Sequence, residues 1–184
     1  MNMSFALTPP QTMATLVLAA VILGCLAMGV RLFVFESPEA WMAWILRGSV
    51  ALVVGVAGVF VYFLWGAFHS TVTIEKGLVR LQVPIYSVTI PLDSIDAESA
   101  RLVDLAKNRE LKPGIRTNGL GVPGYRLGHF RLANGLRARL ALTTKSSIAY
   151  VPFDRRTALL LSVEEGEKFI AALKSAGAGN AGRT

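Results

Sequence analysis

Residues 119–124 read GLGVPG, which satisfies the G-x-G-x-x-G pattern that cradles a dinucleotide pyrophosphate. That chemistry needs a buried strand ahead of the glycines and a helix N-terminus behind them, whose amides receive the pyrophosphate. Neither context is present. Upstream, Arg109-Glu-Leu-Lys-Pro-Gly114 is charged and broken by proline, and downstream Pro123-Gly124 leads into an alternating run. The glycines are expected instead to let a tight, exposed loop cross a sheet edge. Arg116, Tyr125 and Arg126 flank that loop, so an anion or a peptide could bind beside it.

Other chemistries find even less support. The sequence has no G-x-x-x-x-G-K-[ST] run, and its His and Cys residues are only His69, His129 and Cys25, so no zinc-ligand spacing exists. Nothing in the spacing brings a serine and an aspartate to His129. The carboxylates Asp93, Asp96 and Glu98 read as turn and strand-surface residues rather than an acid/base pair. Aromatic and basic residues alternate only at Tyr125-Arg126 and Phe130-Arg131, too sparsely for a nucleic-acid surface. The expectation is no enzyme, no catalytic residues, no cofactor, no metal and no nucleic-acid partner.

The elements around these residues are more informative. An Asn134-Gly135 pair suggests a hairpin. A two-residue turn would oppose Leu132 with Arg137 and Phe130 with Arg139, mixing apolar and charged side chains on one face. A three-residue loop, Ala133-Asn134-Gly135, opposes Leu132 with Leu136 and Phe130 with Ala138 and keeps the apolar positions together, with Gly135 left-handed. In that register Arg131 faces Arg137 and His129 faces Arg139, like charges across strands that need solvent or an anion between them. His129, Arg131, Arg137 and Arg139 thus form a basic sheet face, with Arg126 nearby.

Charge divides the chain. Of its 184 residues, the first 68 carry only Arg31, Glu36, Glu39 and Arg47, so the net charge of +7 resides wholly in residues 69–184. Two runs, Thr12–Val30 and Ser49–Phe68, are uncharged and each has the length of a membrane crossing at ~1.5 Å per residue, which predicts transmembrane helices over about 12–30 and 45–68. No basic residue precedes the first, so a cleaved signal peptide is not expected. Trp41 and Trp44 stand at one end of the second run and Tyr62, Trp65 and Phe68 at the other, as rings at headgroup level do. Ala20/Gly24 and Ala51/Gly55 are small-xxx-small pairs that permit close packing, within the hairpin or between copies. Neither run carries a mid-membrane charge, which excludes an ion pathway as the expected role.

Beyond His69, period-2 runs separated by Gly and Pro predict antiparallel strands: Thr71–Glu75, Leu78–Val83, Ile85–Ile90, the 130–138 hairpin, Ser147–Phe153 and Thr157–Ser162. Asp93 to Leu105 reads as either a strand or a short helix. Ser162-Val-Glu-Glu165 has the form of a capping box, opening a helix with Phe169, Ile170 and Leu173 on one stripe. The expected organisation is two transmembrane helices in 1–68, a mainly-β domain of about seven antiparallel strands and one C-terminal helix in 69–176, and a flexible tail in 177–184.

The segment RTNGLGVPGYRLGHFRLANGLRARL, followed by LLLS and a helix containing Glu167-Lys-Phe169, resembles bacterial PH-domain (pleckstrin-homology-like) membrane proteins. The likeness is strong over 116–175 and rests on strand order over 70–115. It departs at His129, where the family often has an aromatic after the glycine. The resemblance implies a PH-like domain on one or two membrane helices, with no established enzymatic activity. Together with the charge pattern it points to a membrane-anchored module, integral to the bacterial inner membrane with its domain cytoplasmic. Such a module would bind a protein partner or a second copy of itself. The alternative is direct binding of anionic lipid headgroups by the basic sheet face. Arg116, Tyr125, Arg126, His129, Arg131, Arg137 and Arg139 are the candidate interaction residues.

Overall fold

The computed structural model describes residues 3–10, 12–34, 40–154 and 156–181. Two long helices come early: α1 (Thr12–Val34) and α2 (Ala40–Phe68). Within α2, Trp44–Phe68 is long and apolar enough to cross a membrane, while Ala19–Arg31 is a shorter apolar stretch of α1. The two helices meet at Gly29, whose Cβ position would lie 3.9 Å from Val53 Cγ1. The small-xxx-small pairs are not at this contact, since a Cβ on Gly24 or Gly55 would meet nothing within 4 Å. Trp44, Tyr62, Trp65 and Phe68 are exposed, and the Arg47 guanidinium lies over the Trp44 ring. The Trp41 side chain lies outside the described residues.

Ten strands follow or precede these helices among the described residues, rather than about seven. A four-stranded sheet runs in the order β1 (Met3–Ala6), β2 (Thr71–Glu75), β3 (Leu78–Gln82), β4 (Val88–Pro91). A six-stranded sheet contains β5 (Arg101–Val103), β6 (Pro113–Val122), β7 (Tyr125–Leu132), β8 (Arg137–Leu142), β9 (Ile148–Phe153) and β10 (Thr157–Ser162). Its spatial order is β5-β9-β10-β8-β7-β6. Not all pairs are antiparallel: β8 and β10 run parallel, with Leu159 opposite Arg139. Residues 84–86 form a turn and β4 starts only at Val88, and 93–105 resolves into a short 3-10 turn (Leu92–Ser94) and the three-residue β5.

β1 extends the sheeted unit to residues before the helices. It pairs antiparallel with β2, Met3 opposite Ile74 and Ala6 opposite Thr71. Phe5 and Leu7 are buried, and the Phe5 ring meets Phe169 edge-on at 5.5 Å. The strand then bridges Leu7 to Val163, and the Thr143 hydroxyl donates to the Thr8 carbonyl at 2.8 Å. A unit bounded at His69 would lack this edge.

The two sheets and α3 (Gly166–Ala181) enclose one core, in which Val72, Val79, Leu127, Leu159, Leu161, Phe169 and Leu173 are buried. The outer face of the six-stranded sheet has an apolar cluster of its own, including Leu111, Phe130, Leu132, Leu140, Ile148 and Leu160. Segment 104–112 crosses that face, tied at its ends by the Leu105 N–H to the Lys145 carbonyl and by the Ala133 N–H to the Lys112 carbonyl. Strands β7 to β10 are therefore apolar on alternate residues of both parities, the mark of a sheet covered on two sides.

α3 buries the expected stripe, Phe169, Ile170 and Leu173, but its start differs. Ser162 belongs to β10, and its hydroxyl accepts from the Thr143 and Thr144 amides at 3.1 and 3.2 Å instead of capping a helix. The helix continues to Ala181, so the expected tail from Gly177 is helical that far, and residues 182–184 lie outside the described residues.

Candidate functional site: two basic regions on one sheet

The glycine motif is a hairpin, not a loop across a sheet edge. Residues 113–122 are strand β6, and Pro123-Gly124 is the two-residue turn into β7, with Val122 opposite Tyr125 and Gly124 at φ +79°. Gly119 and Gly128 face one another across the two strands, both left-handed at φ +139° and +117°. A Cβ on Gly119 would lie 2.1 Å from the Leu127 carbonyl oxygen, and one on Gly128 would lie 2.5 Å from that of Asn118. The glycines thus permit a backbone approach that no side chain would allow. Register shifts flank Arg116, and the Thr117 hydroxyl donates to the His129 carbonyl at 3.0 Å. With no helix after the motif, there is no N-terminal amide cluster for a pyrophosphate.

The Asn134-Gly135 hairpin has the predicted register. Arg131 is opposite Arg137, Phe130 opposite Ala138 and His129 opposite Arg139. The Gly135 N–H donates to the Leu132 carbonyl, Gly135 sits at φ +84°, and the Asn134 side chain accepts from the Leu136 amide.

The candidate residues separate onto two faces. Along β7, Tyr125 and Leu127 share the inner face with His129 and Arg131, while Arg126 shares the outer face with Phe130. On the inner side, Arg131 and Arg137 are exposed at the far end of their strands, and His129 and Arg139 are half-buried. The Tyr86 ring meets His129 edge-on at 5.8 Å, and the Tyr86 hydroxyl donates to Asn118 Oδ1 at 3.0 Å. Burial, and secondarily the charge of Arg139, hold the His129 imidazole below its usual pKa, so it is neutral at pH 7. Tyr125 is only 3% exposed, and burial pushes its phenol up to about 12. Tyr125 and Leu127 are core residues and cannot act as an exposed docking pair.

On the outer side lies a groove of about 990 Å³. Lys112, Arg116, Arg126 and Lys145 line it, over a floor that includes Leu105, Phe130 and Leu142. No Asp or Glu lines it among the described residues, and the salt bridge found among them is elsewhere, between Lys168 and Glu165. Arg116 folds back over its own strand: its Nη1 is 3.8 Å from where a Cβ on Gly121 would be, and Gly121 is the cross-strand partner of Arg126. The two guanidinium-bearing residues therefore converge although ten positions separate them.

Two connections fix which end of the sheets lies beside the helices. α2 ends at Phe68 and β2 begins at Thr71. Thr143, in the groove wall, bonds Thr8, four residues before α1. The rim carrying 84–87, 122–125 and 143–145 is thus next to the helices, and the 131–137 hairpin is at the opposite rim.

A family model of the bacterial PH domain matches residues 70–177, more than half of the chain. The chain belongs to the bacterial PH domain family. Its two sheets and C-terminal helix are the PH-like β-sandwich, and PH domains are in general non-catalytic interaction modules. No curated protein matches the chain significantly. Sequence reasoning missed Lys112, Thr143, Thr144 and Lys145, which become neighbours of Arg116 and Arg126 only once segment 104–112 and the β8–β9 turn are folded over the sheet.

Proposed function

We propose that this chain is a membrane-anchored, non-enzymatic PH-like module that binds a protein partner, or a second copy of itself, at the membrane surface. The observation that carries it is the outer edge of β6. This strand of ten residues ends the six-stranded sheet, its outer backbone unpaired among the described residues, and Ile115 on it is 72% exposed. Such an edge is a template for an added strand, and the register shifts about Arg116 restrict where one can pair.

The anchoring part of the reading rests on β1 and β2. Because they are neighbours in one sheet, the chain leaves and returns on the same side of α1 and α2. That return supports an even number of crossings, and two suits helices of 23 and 29 residues, about 34 and 44 Å long. The basic excess of residues 69–184 favours the cytoplasmic side of a bacterial inner membrane.

A photo-crosslinking residue at Ile115, in native membranes, should yield a discrete adduct that the same probe at Lys76 does not. No adduct at Ile115 would overturn the edge as the interface. Impermeant thiol labelling of cysteines at Ser4, Ser37 and Ser175 reads the anchor separately. Positions 4 and 175 should label from one side and 37 from the other, and labelling of 4 and 37 from the same side would remove the hairpin. The alternative reading, anionic lipid on the face formed by His129, Arg131, Arg137 and Arg139, draws on the like charges opposed there. Against it, Arg131 and Arg137 are at the rim away from the helices.

A further inference from the structure

The outer groove has both the chemistry and the location that the inner basic face lacks. Resting on the membrane-anchored reading above, we propose that its helix-proximal end holds the phosphate of an anionic lipid headgroup, gripped by Arg116, Arg126 and Lys145.

Charge is the first argument. These side chains converge in one concavity, none of them has a carboxylate partner among the described residues, and guanidinium groups suit bidentate contact with phosphate oxygens. Like charges brought together in a groove repel unless solvent, salt or a bound anion offsets them. The second argument is the floor. Leu105, Phe130 and Leu142 underlie the cations as core side chains, 4–7% exposed, and bring no carboxylate to compete for them; the choice of a lipid over free phosphate rests on position.

Position is the third argument. Lys145 is two residues from Thr143, whose hydroxyl holds Thr8, and α1 starts four positions on from Thr8, a span of at most about 14 Å. Arg126 adjoins the Pro123-Gly124 turn on the same rim. That rim also displays Ile85, 67% exposed at φ +64°. A β-branched residue in the left-handed region is strained. Its neighbour Pro84 packs against Gly66, within the last turn of α2, so Ile85 is held where acyl chains would meet it.

The test uses the full chain in nanodiscs of phosphatidylcholine alone or mixed with phosphatidylglycerol, at physiological salt. Acylation of the Lys145 amine is read against Lys76 at the opposite rim. Lys145 should label several-fold more slowly in the anionic discs, with Lys76 unchanged. R116Q/R126Q should abolish that protection while R131Q/R137Q preserves it, thermal unfolding confirming that both variants are folded. Equal labelling of Lys145 in the two discs overturns the proposal, as does protection that survives R116Q/R126Q, which would be surface electrostatics without a site. Inorganic phosphate protecting Lys145 equally in neutral discs overturns the lipid as the source. Protection found only in native membranes assigns the groove to a protein and overturns it too. A chain that fails to enter discs overturns the anchor and the groove together, whereas one that enters unprotected overturns the groove alone.

Discussion

The inner and outer basic regions share strand β7, yet differ in their surroundings and in their distance from the helices. The inner one sets Arg131 against Arg137 and His129 against Arg139 on a sheet face, its exposed end at the rim away from the helices. In the outer region Arg116, Arg126 and Lys145 enter one concavity beside the helices, over an apolar floor. The composition of the strands does not separate the two, because alternation sends neighbouring basic residues to opposite faces. What separates them is which face is covered, and which end of the strand is tied to the helices.

The harshest way to break the comparison is to remove what both regions depend on. Gly119→Val would put a Cβ 2.1 Å from a backbone oxygen at φ +139°, and we expect about 3 kcal/mol or more of destabilisation in thermal unfolding. Both regions should then be lost together, and a variant of normal stability would show that the close approach is unnecessary. Phe5→Ala comes next. Loss of its buried ring and its contact with Phe169 should cost about 3 kcal/mol. Hydrogen exchange should quicken first in β1 and β2, at the helix side, before it does in the 130–138 hairpin. Thr143→Val removes the tie to Thr8 and should cost about 1 kcal/mol, with exchange quickening around 143–145.

Smaller changes sharpen the contrast. R131Q/R137Q should raise stability by a few tenths of a kcal/mol at low salt and by nothing at high salt, since it relieves a like-charge pair that ions otherwise screen. A loss of stability would mean that this pair binds something. The subtlest probe is pH. His129 titrates below its ordinary 6.5 in the fold, so between its folded and unfolded pKa the unfolded chain holds more protons. Stability should therefore rise with pH up to about 6.5 and fall as pH drops below it. His129→Gln should flatten that slope, and an unchanged slope would place the proton elsewhere.

Much of this arrangement was legible wherever one local rule dominated. The Asn134-Gly135 register followed from keeping Leu132, Phe130 and Ala138 on one face, and the stripe Phe169, Ile170, Leu173 from helical spacing. β6 was hidden because four of its first nine residues are Pro113, Gly114, Gly119 and Gly121, a composition that reads as loop; pairing to β7 overrides it. Ser162 carried the local signal of a helix cap, but tertiary structure gave its hydroxyl to Thr143 and Thr144. β1 spans only four residues beside an apolar run, and its partner is far away in sequence. The groove needed three separate segments to meet. The basic residues were visible in the sequence, but their grouping was not.

The pairing of β1 with β2 also sets an order of events during synthesis. Ala6 leaves the ribosome 65 residues before its partner Thr71. At ~5–20 residues per second that is a wait of about 3–13 s. On the hairpin reading, both helices must be placed with their ends on one side before the strand can dock. A nascent chain that inserted only one helix would hold β1 and β2 on opposite sides of the bilayer, with Phe5 and Leu7 lacking their burial site and the edge of β2 bare. On that reading β1, made before its partner, would serve as a late check on topology, leaving a wrongly inserted chain open to proteolysis.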